Sequence, residues 1–155
     1  MRILFVCLGN ICRSPLAHGV MQSLVKEAGL GEKIEVDSCG MFGHPQNTPT
    51  HPGSQDIIRK RRGKAFSKPS RHWRKTDYDQ FDLILAMDQE NYVDIMDAIK
   101  GKDPNGKVRM FRSFDPEGPG DVPDPYYSGN FAEVYDIIER ACKNIISLYC
   151  DGTLL

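Results

Sequence analysis

The sequence predicts an α/β fold, a four-stranded parallel sheet flanked by helices, on three observations. Short β-type apolar runs recur along the chain, each is followed by a stretch with helical spacing, and no internal repeat or shift in composition interrupts the alternation. With 155 residues, 40% of them hydrophobic, the chain has the size of one domain, residues 1–155, built on one sizeable core.

The first strand is Ile3 to Val6. After Ser14 the apolar residues Leu16, Ala17, Val20, Met21, Leu24, Val25 and Ala28 follow a helical period. Ser14 suits the N-cap of that helix, Pro15 its first position and Gly29 a left-handed close. A second strand is expected at Ile34 to Ser38. Cys39 to Gly53 is rich in Gly, Pro, Asn and Thr and reads as a long surface loop, a length that usually signals function. Ser54 to Arg62 is helical, and its basic end, Arg59 to Arg62 with Lys64, reads as solvated surface. After a polar connection, Phe81 to Met87 is a buried strand, and Asp88 caps a helix from Gln89 to about Lys100. Val108 to Phe111 supplies the fourth strand. Asp115 to Asn130 holds four prolines and three glycines and is expected to be loop. Phe131 to Tyr149 resumes a helix, with Phe131, Val134, Ile138, Ala141, Ile145 and Leu148 on its core face.

Charge narrows the function. Twenty basic residues against twenty-one acidic leave a formal charge of -1, so the chain lacks the basic footprint of a general nucleic-acid binder. The apolar run Ile3 to Val6 is too short for a secretion signal or a membrane span. The five cysteines include no CxxC pair, so they propose neither a disulfide framework nor a zinc site, and a reducing cytoplasm is the expected compartment.

The chemistry concentrates in the first βα turn, where ligands bind in such sheets. It reads Cys7-Leu8-Gly9-Asn10-Ile11-Cys12-Arg13-Ser14, a cysteine and an arginine with five residues between them. That spacing can wrap a tetrahedral oxyanion in converging backbone N–H groups at a helix N-terminus, without a metal or other cofactor. Gly9 and Asn10 tolerate the positive φ that so tight a loop requires. Arg13 offers a planar fork for two phosphate oxygens. Cys7 ends the strand aimed into the same nest, where helix and guanidinium both favour the thiolate. A thiolate beneath a bound phosphate can attack phosphorus in line and form a phosphocysteine. Ser14 could donate a hydrogen bond to Cys7 and improve its sulfur as a leaving group. The bland alternative is a buried structural cysteine beside a surface arginine.

A second constellation lies about 110 residues downstream, Val122-Pro123-Asp124-Pro125-Tyr126-Tyr127. An aspartate between two prolines is rigidly aimed, and proton donation to a leaving phenolate is a natural role for it beside an aromatic wall. A proline-stiffened turn with solvent-facing tyrosines is the alternative.

The segments CLGNICRSP, Cys7 to Pro15, and DPYY, Asp124 to Tyr127, resemble the two signatures of the low-molecular-weight protein tyrosine phosphatases, and the likeness extends over nearly the whole chain. Val36-Asp37-Ser38, the Phe81 to Asp88 run with Asn91, and the final helix also match. The resemblance implies Cys7 as nucleophile, Arg13 as phosphate binder and Asp124 as acid then base. It implies substrate contacts from Leu8, Gly9, Asn10, Ile11, Cys12 and Ser14. Asn10, Ser14 and Ser38 would form a network supporting the loop, and Tyr126 and Tyr127 one side of the cleft. Cys12 matches a family cysteine associated with reversible disulfide protection of the nucleophile, and Arg71 resembles a family arginine. The chain departs from the family at Ser38-Cys39-Gly40-Met41-Phe42-Gly43-His44-Pro45. There His44 stands where Trp or Tyr is usual, and Phe42 is the candidate for the opposite wall. The implied partner is a tyrosine-phosphorylated protein or peptide, with no nucleic acid and no membrane.

Two relatives on the same scaffold compete. A thioredoxin-coupled arsenate reductase needs two further cysteines mid-chain, and none lies between Cys39 and Cys142. A protein arginine phosphatase resembles this scaffold with threonine in place of Ile11. From another class, a silent phosphoprotein-binding module would have no use for both Cys7 and Asp124.

Overall fold

The computed structural model describes residues 1–154. Four parallel strands, β1 (Arg2–Cys7), β2 (Glu35–Gly40), β3 (Leu83–Ala86) and β4 (Val108–Met110), form one sheet in the order β2-β1-β3-β4. β1 is buried on both faces, which is why it reads as an unbroken apolar run. Its Ile3, Phe5 and Cys7 join a core with α1 (Arg13–Glu27), α2 (Pro52–Arg62) and α6 (Phe131–Cys150). Leu4 and Val6 face the other way, toward Ile95 and the partly buried Tyr92 and Met96 of α4 (Gln89–Ala98). From β1 the chain steps to β2 on one side and later returns to β3 on the other. The turn after β1 therefore sits at a topological switch point, the crevice where open α/β sheets bind ligands.

The expected elements are present, with informative differences at their ends. β2 runs on through Cys39 and Gly40, which pair with Val6 and Cys7, so the long loop begins only at Met41. Gly40 also bridges to His72, which lays the segment after α2 along the sheet edge. A Cβ on Gly40 would come within 2.9 Å of backbone atoms of Leu8, Gly9 and Asn10, so only glycine lets this strand pass beneath the β1 turn.

Ser14 is not the N-cap of α1. The helix starts at Arg13 with Cys12 at the cap, and no side chain caps it. The Ser14 hydroxyl faces Cys7 and Asn10 instead, and Pro15 falls in the first turn, where its missing N–H costs nothing. The far end closes as expected. Gly29 takes φ 71, Leu30 N–H bonds Val25 O at 2.9 Å and Gly29 N–H bonds Lys26 O at 3.1 Å, the paired bonds of a Schellman close.

Two short helices interrupt segments read as irregular, α3 (Asp77–Gln80) and α5 (Pro125–Ser128). One turn is too short to leave a periodic signal, but Asp124 before Pro125 is a cap-and-start pair, and its Oδ1 accepts from Tyr126 N–H at 3.0 Å. The Asp88 cap is as expected, accepting from Asn91 N–H at 2.8 Å. The basic end of α2 is largely exposed, as expected, and its arginines are paired there: Arg59 with Asp56, Arg61 with Asp136, and Arg62 with Glu27 and Glu139. Among the described residues no helix is long and apolar enough to cross a membrane.

Candidate active site

Residues Leu8 to Cys12 wrap the C-terminal end of β1, and their carbonyls explain the shape. Leu8 O accepts from Met41 N–H at 2.8 Å and Phe42 N–H at 3.0 Å. Ile11 O accepts from His51 N–H at 2.8 Å, and Cys12 O accepts from the Ser54 hydroxyl at 2.9 Å. With these acceptors tied to the loop after β2 and to the start of α2, the N–H groups of Gly9, Ile11 and Cys12 have no acceptor among the described residues. Amides left without an acceptor in so tight a turn are what an anion nest requires. Asn10 provides the bend at φ 56.

Beneath the loop lies a closed polar network. Cys7 Sγ is 2.9 Å from Ser14 Oγ and accepts from Asn10 N–H at 3.3 Å. Asn10 Nδ2 donates to Ser14 Oγ at 2.8 Å and Ser38 Oγ at 3.0 Å. His18 Nδ1 meets Ser38 Oγ at 2.9 Å, and Lys68 Nζ donates to Asn10 Oδ1 at 2.7 Å. Burial, helped by Lys68 and Arg71 and opposed by Asp37, pushes the His18 imidazole down to about 4, so it is neutral at physiological pH.

Arg13 is 4% exposed on its side chain and fully committed at one nitrogen: Nη1 donates to Asp88 Oδ2 at 2.7 Å and to Val122 O at 3.0 Å. Its Nη2 stands 3.6 Å from Asp124 Oδ2. Burial works against the guanidinium charge, but Cys7, Asp88 and Asp124 outweigh it and raise its affinity for the proton.

Cys7, Leu8, Gly9, Ile11, Cys12, Arg13, Asp124, Tyr126 and Tyr127 line one cavity of about 330 Å³, together with Gly43 and His44. Nine of the expected substrate-site residues thus converge from opposite ends of the sequence. Asn10 and Ser14 do not line it; both are fully buried below the loop, beside Ser38, where they act as its support. The opposite wall is also different from expectation. Phe42 is 56% exposed and stands outside the cavity, whereas His44 forms the wall, its ring centroid 5.9 Å from that of Tyr126. His44 lies so close over the loop that a Cβ on Gly9 would come within 2.5 Å of His44 Cδ2. His72 holds this wall through a 2.7 Å contact of its Nε2 with His44 O.

Cys12 is buried in the same cavity, and desolvation, with Cys7 and Asp124 adding and Arg13 opposing, pushes its thiol up to about 12. All five cysteines are free. Arg71 lies behind the site, bridging Asp37 at 3.0 Å and Asp77 at 3.0 Å, and so ties β2 to the start of α3. Trp73 packs on the core of the α4 face. Among the described residues no three His, Cys, Asp or Glu side chains are grouped to hold a metal ion.

Residues 2–149 match the family described as low molecular weight phosphotyrosine protein phosphatase. The chain belongs to that family. The low molecular weight protein-tyrosine-phosphatase YfkJ of Bacillus subtilis is 40% identical over 146 residues, covering 94% of this chain and 93% of YfkJ. PtpA of Staphylococcus aureus is 40% identical over 146 residues, covering 93% and 90%. The crystal structure of YfkJ has a TM-score of 0.88 at 36% identity, covering 97% of this chain and 96% of that one. A structure of the YwlE arginine phosphatase, whose active-site serine variant is phosphorylated, has a TM-score of 0.86 at 25% identity over the full length of both chains. This low molecular weight phosphatase is thus a hydrolase of the protein-tyrosine-phosphatase class.

Two residues of the candidate site escaped the sequence reading. Asp88 was legible only as a helix cap, although its second oxygen holds Arg13. Lys68 sits in a segment without periodicity, and nothing local marks a lysine between Ser67 and Pro69 as the partner of Asn10.

Proposed function

We propose that this phosphatase hydrolyses phosphotyrosine in proteins, and small aryl phosphates, through a phosphocysteine formed on Cys7 without a metal ion. The observation that carries the reading is that Cys7 Sγ, receiving one amide and facing the Ser14 hydroxyl, shares one cavity with Arg13 and Asp124. Since Nη1 of Arg13 already has two acceptors, Nε and Nη2 are the groups left to grip two phosphate oxygens. Phosphate bound there takes the place of Asp124 beside Nη2, which frees the carboxyl to hold a proton facing the leaving oxygen. The sulfur attacks phosphorus, the P–O bond to tyrosine breaks, and Asp124 gives its proton to the departing phenolate. In the second step Asp124 takes a proton from water, water attacks phosphorus, and the P–S bond breaks with its electrons returning to Cys7.

Leu8, Gly9, Ile11 and Cys12 surround the phosphate, and Tyr126 and His44 flank the phenyl ring. Ile11 presents an apolar surface where the resemblance places threonine in arginine phosphatases, which favours an aryl ester. The expected partner is a tyrosine-phosphorylated cytoplasmic protein.

Turnover of p-nitrophenyl phosphate in the presence of a chelator, with acid-stable trapping of phosphate on Cys7, tests the reading. A chelator-sensitive reaction, or label on another residue, overturns it. Phosphotyrosine and phosphoarginine peptides offered in parallel decide the substrate class.

A further inference from the structure

The polar network under the loop contains a partly buried lysine, whose donors fix the direction of the hydrogen bonds at Asn10. Lys68 projects from the segment after α2, its side chain 14% exposed. Its Nζ donates to Asn10 Oδ1 at 2.7 Å, Ser38 O at 2.7 Å and Ser38 Oγ at 3.3 Å. An ammonium has donors only, and so does the Arg71 N–H that meets the same Asn10 Oδ1 at 3.1 Å. The Asn10 amide therefore cannot flip. Its two N–H bonds must go to Ser14 Oγ and Ser38 Oγ. Ser14 Oγ, having accepted from Asn10, turns its single proton to Cys7 Sγ at 2.9 Å in preference to Cys39 O at 3.4 Å. Ser38 Oγ likewise accepts from Asn10 and Lys68, and it meets Nδ1 of the neutral His18, whose Nε2 faces the Gln22 side-chain amide at 3.0 Å.

We propose that Lys68 is a positioning residue for the reaction, which orients Asn10 and through it directs the Ser14 hydroxyl proton at the sulfur of Cys7. The inference rests on the proposed role of Cys7. Charge adds to direction. The Asp37 carboxylate is 4.0 Å from Lys68 but is gripped by Arg71 at 3.0 Å, so the ammonium is not neutralised by a close partner of its own. Its field favours negative sulfur at the start of the reaction and again when the P–S bond breaks. Burial lowers the Lys68 ammonium from its ordinary value, opposed by Asp37 and reinforced by Arg71, as expected of a cation held inside for its effect on neighbours.

The test compares Lys68→Met, Lys68→Arg and Ser14→Ala with the double variant of Lys68→Met and Ser14→Ala. The first readout needs no substrate: the rate at which iodoacetamide alkylates Cys7 at mildly acidic pH, where the thiolate is the reacting form. Lys68→Met should slow alkylation by about tenfold, and Lys68→Arg should restore most of it. The second readout is breakdown of the phosphocysteine, followed as the steady rate after a burst with p-nitrophenyl phosphate. Lys68→Met should slow it by about 10- to 100-fold, yet by less than about twofold when Ser14 is already alanine, because the effect passes through that hydroxyl. Equal losses in both backgrounds, or an unchanged alkylation rate, would show that Lys68 only supports the fold. If Lys68→Met does not fold, Lys68→Gln, which keeps a donor without the charge, is read by the same criteria. Failure of the wild type to form a phosphocysteine would instead sink the phosphatase mechanism, and the alkylation rates would still decide the role of Lys68.

Discussion

The two halves of the site are held in opposite ways. Apart from Leu8, the loop from Cys7 to Ser14 is buried, with carbonyls tied outward and a closed network below, and Asn10 and Ser14 are fully excluded from solvent. The Asp124 to Tyr127 turn is open: the Asp124 side chain is 39% exposed, Tyr127 is 89% exposed, and the turn is shaped by the Asp124 cap bond and by Gly129 N–H to Pro125 O at 2.9 Å. Its firmest anchors lie at the base, where Val122 N–H bonds Met87 O at 2.8 Å, Val122 O accepts from Arg13 at 3.0 Å, and Asp121 takes bonds from Gln89 N–H at 3.0 Å and Arg112 at 3.2 Å. The difference matches the tasks proposed for the halves. A group that stabilises charge at phosphorus works best preorganised, since nothing has to be rearranged as the charge develops. A group that must give a proton to one molecule and take it from another has to stay accessible to both.

The contrast predicts a ranking of losses. Cys7→Ser should lower turnover by more than about a thousandfold while vanadate still binds, because serine preserves the nest but its hydroxyl is not ionised there; titration calorimetry beside single-turnover rates checks both. Arg13→Lys should cost on the order of 10²- to 10³-fold, since a point charge cannot replace a fork whose Nη1 is already committed to Asp88 and Val122. Near-normal activity would make Arg13 a structural residue and erase the contrast.

Asp124→Asn should behave differently in kind. With tyrosine as leaving group, pKa about 10, the phosphorylation step should slow by on the order of 10²-fold, and the penalty should shrink sharply with an acidic phenol. An equal loss for good and poor leaving groups would mean that Asp124 acts only as the cap of α5.

The buried half should also be the acid-sensitive one. His18 in the folded chain sits at about 4 against an ordinary value of 6.5, so below 6.5 the unfolded chain takes up a proton that the folded chain refuses. Stability from this group is complete above about pH 6.5 and lost as pH falls toward 4, by on the order of 3 kcal/mol. Urea unfolding across that range checks the slope. His18→Asn, which keeps a polar group facing Ser38 but does not titrate, should flatten it. The smallest effect is expected at the open rim: Tyr127→Ala should change kcat/KM for a phosphotyrosine peptide by about a few-fold and leave folding untouched, as exposed side chains usually do.

Short-range physics made much of this legible in the sequence. Apolar runs and helical periods placed all four strands and the long helices, and the Cys7 to Arg13 spacing with DPYY singled out the two segments that line one cavity, because each signal lies within a few consecutive residues. Contacts between distant segments left no such trace. Ser14 reads as a helix cap until Asn10 and Cys7 claim its hydroxyl, and Asn10 and Ser14 read as cavity residues until the fold buries them. His44 rather than Phe42 becomes the wall because His72 holds its carbonyl and Gly9 leaves room for its ring. Lys68 reaches Asn10 across 58 positions of sequence. Residue spacing determines what a turn can bind and which chemistry it can carry. Which neighbours fix the direction of its protons and the wall of its cleft is decided only when the sheet order brings β2 and the segment after α2 against the end of β1.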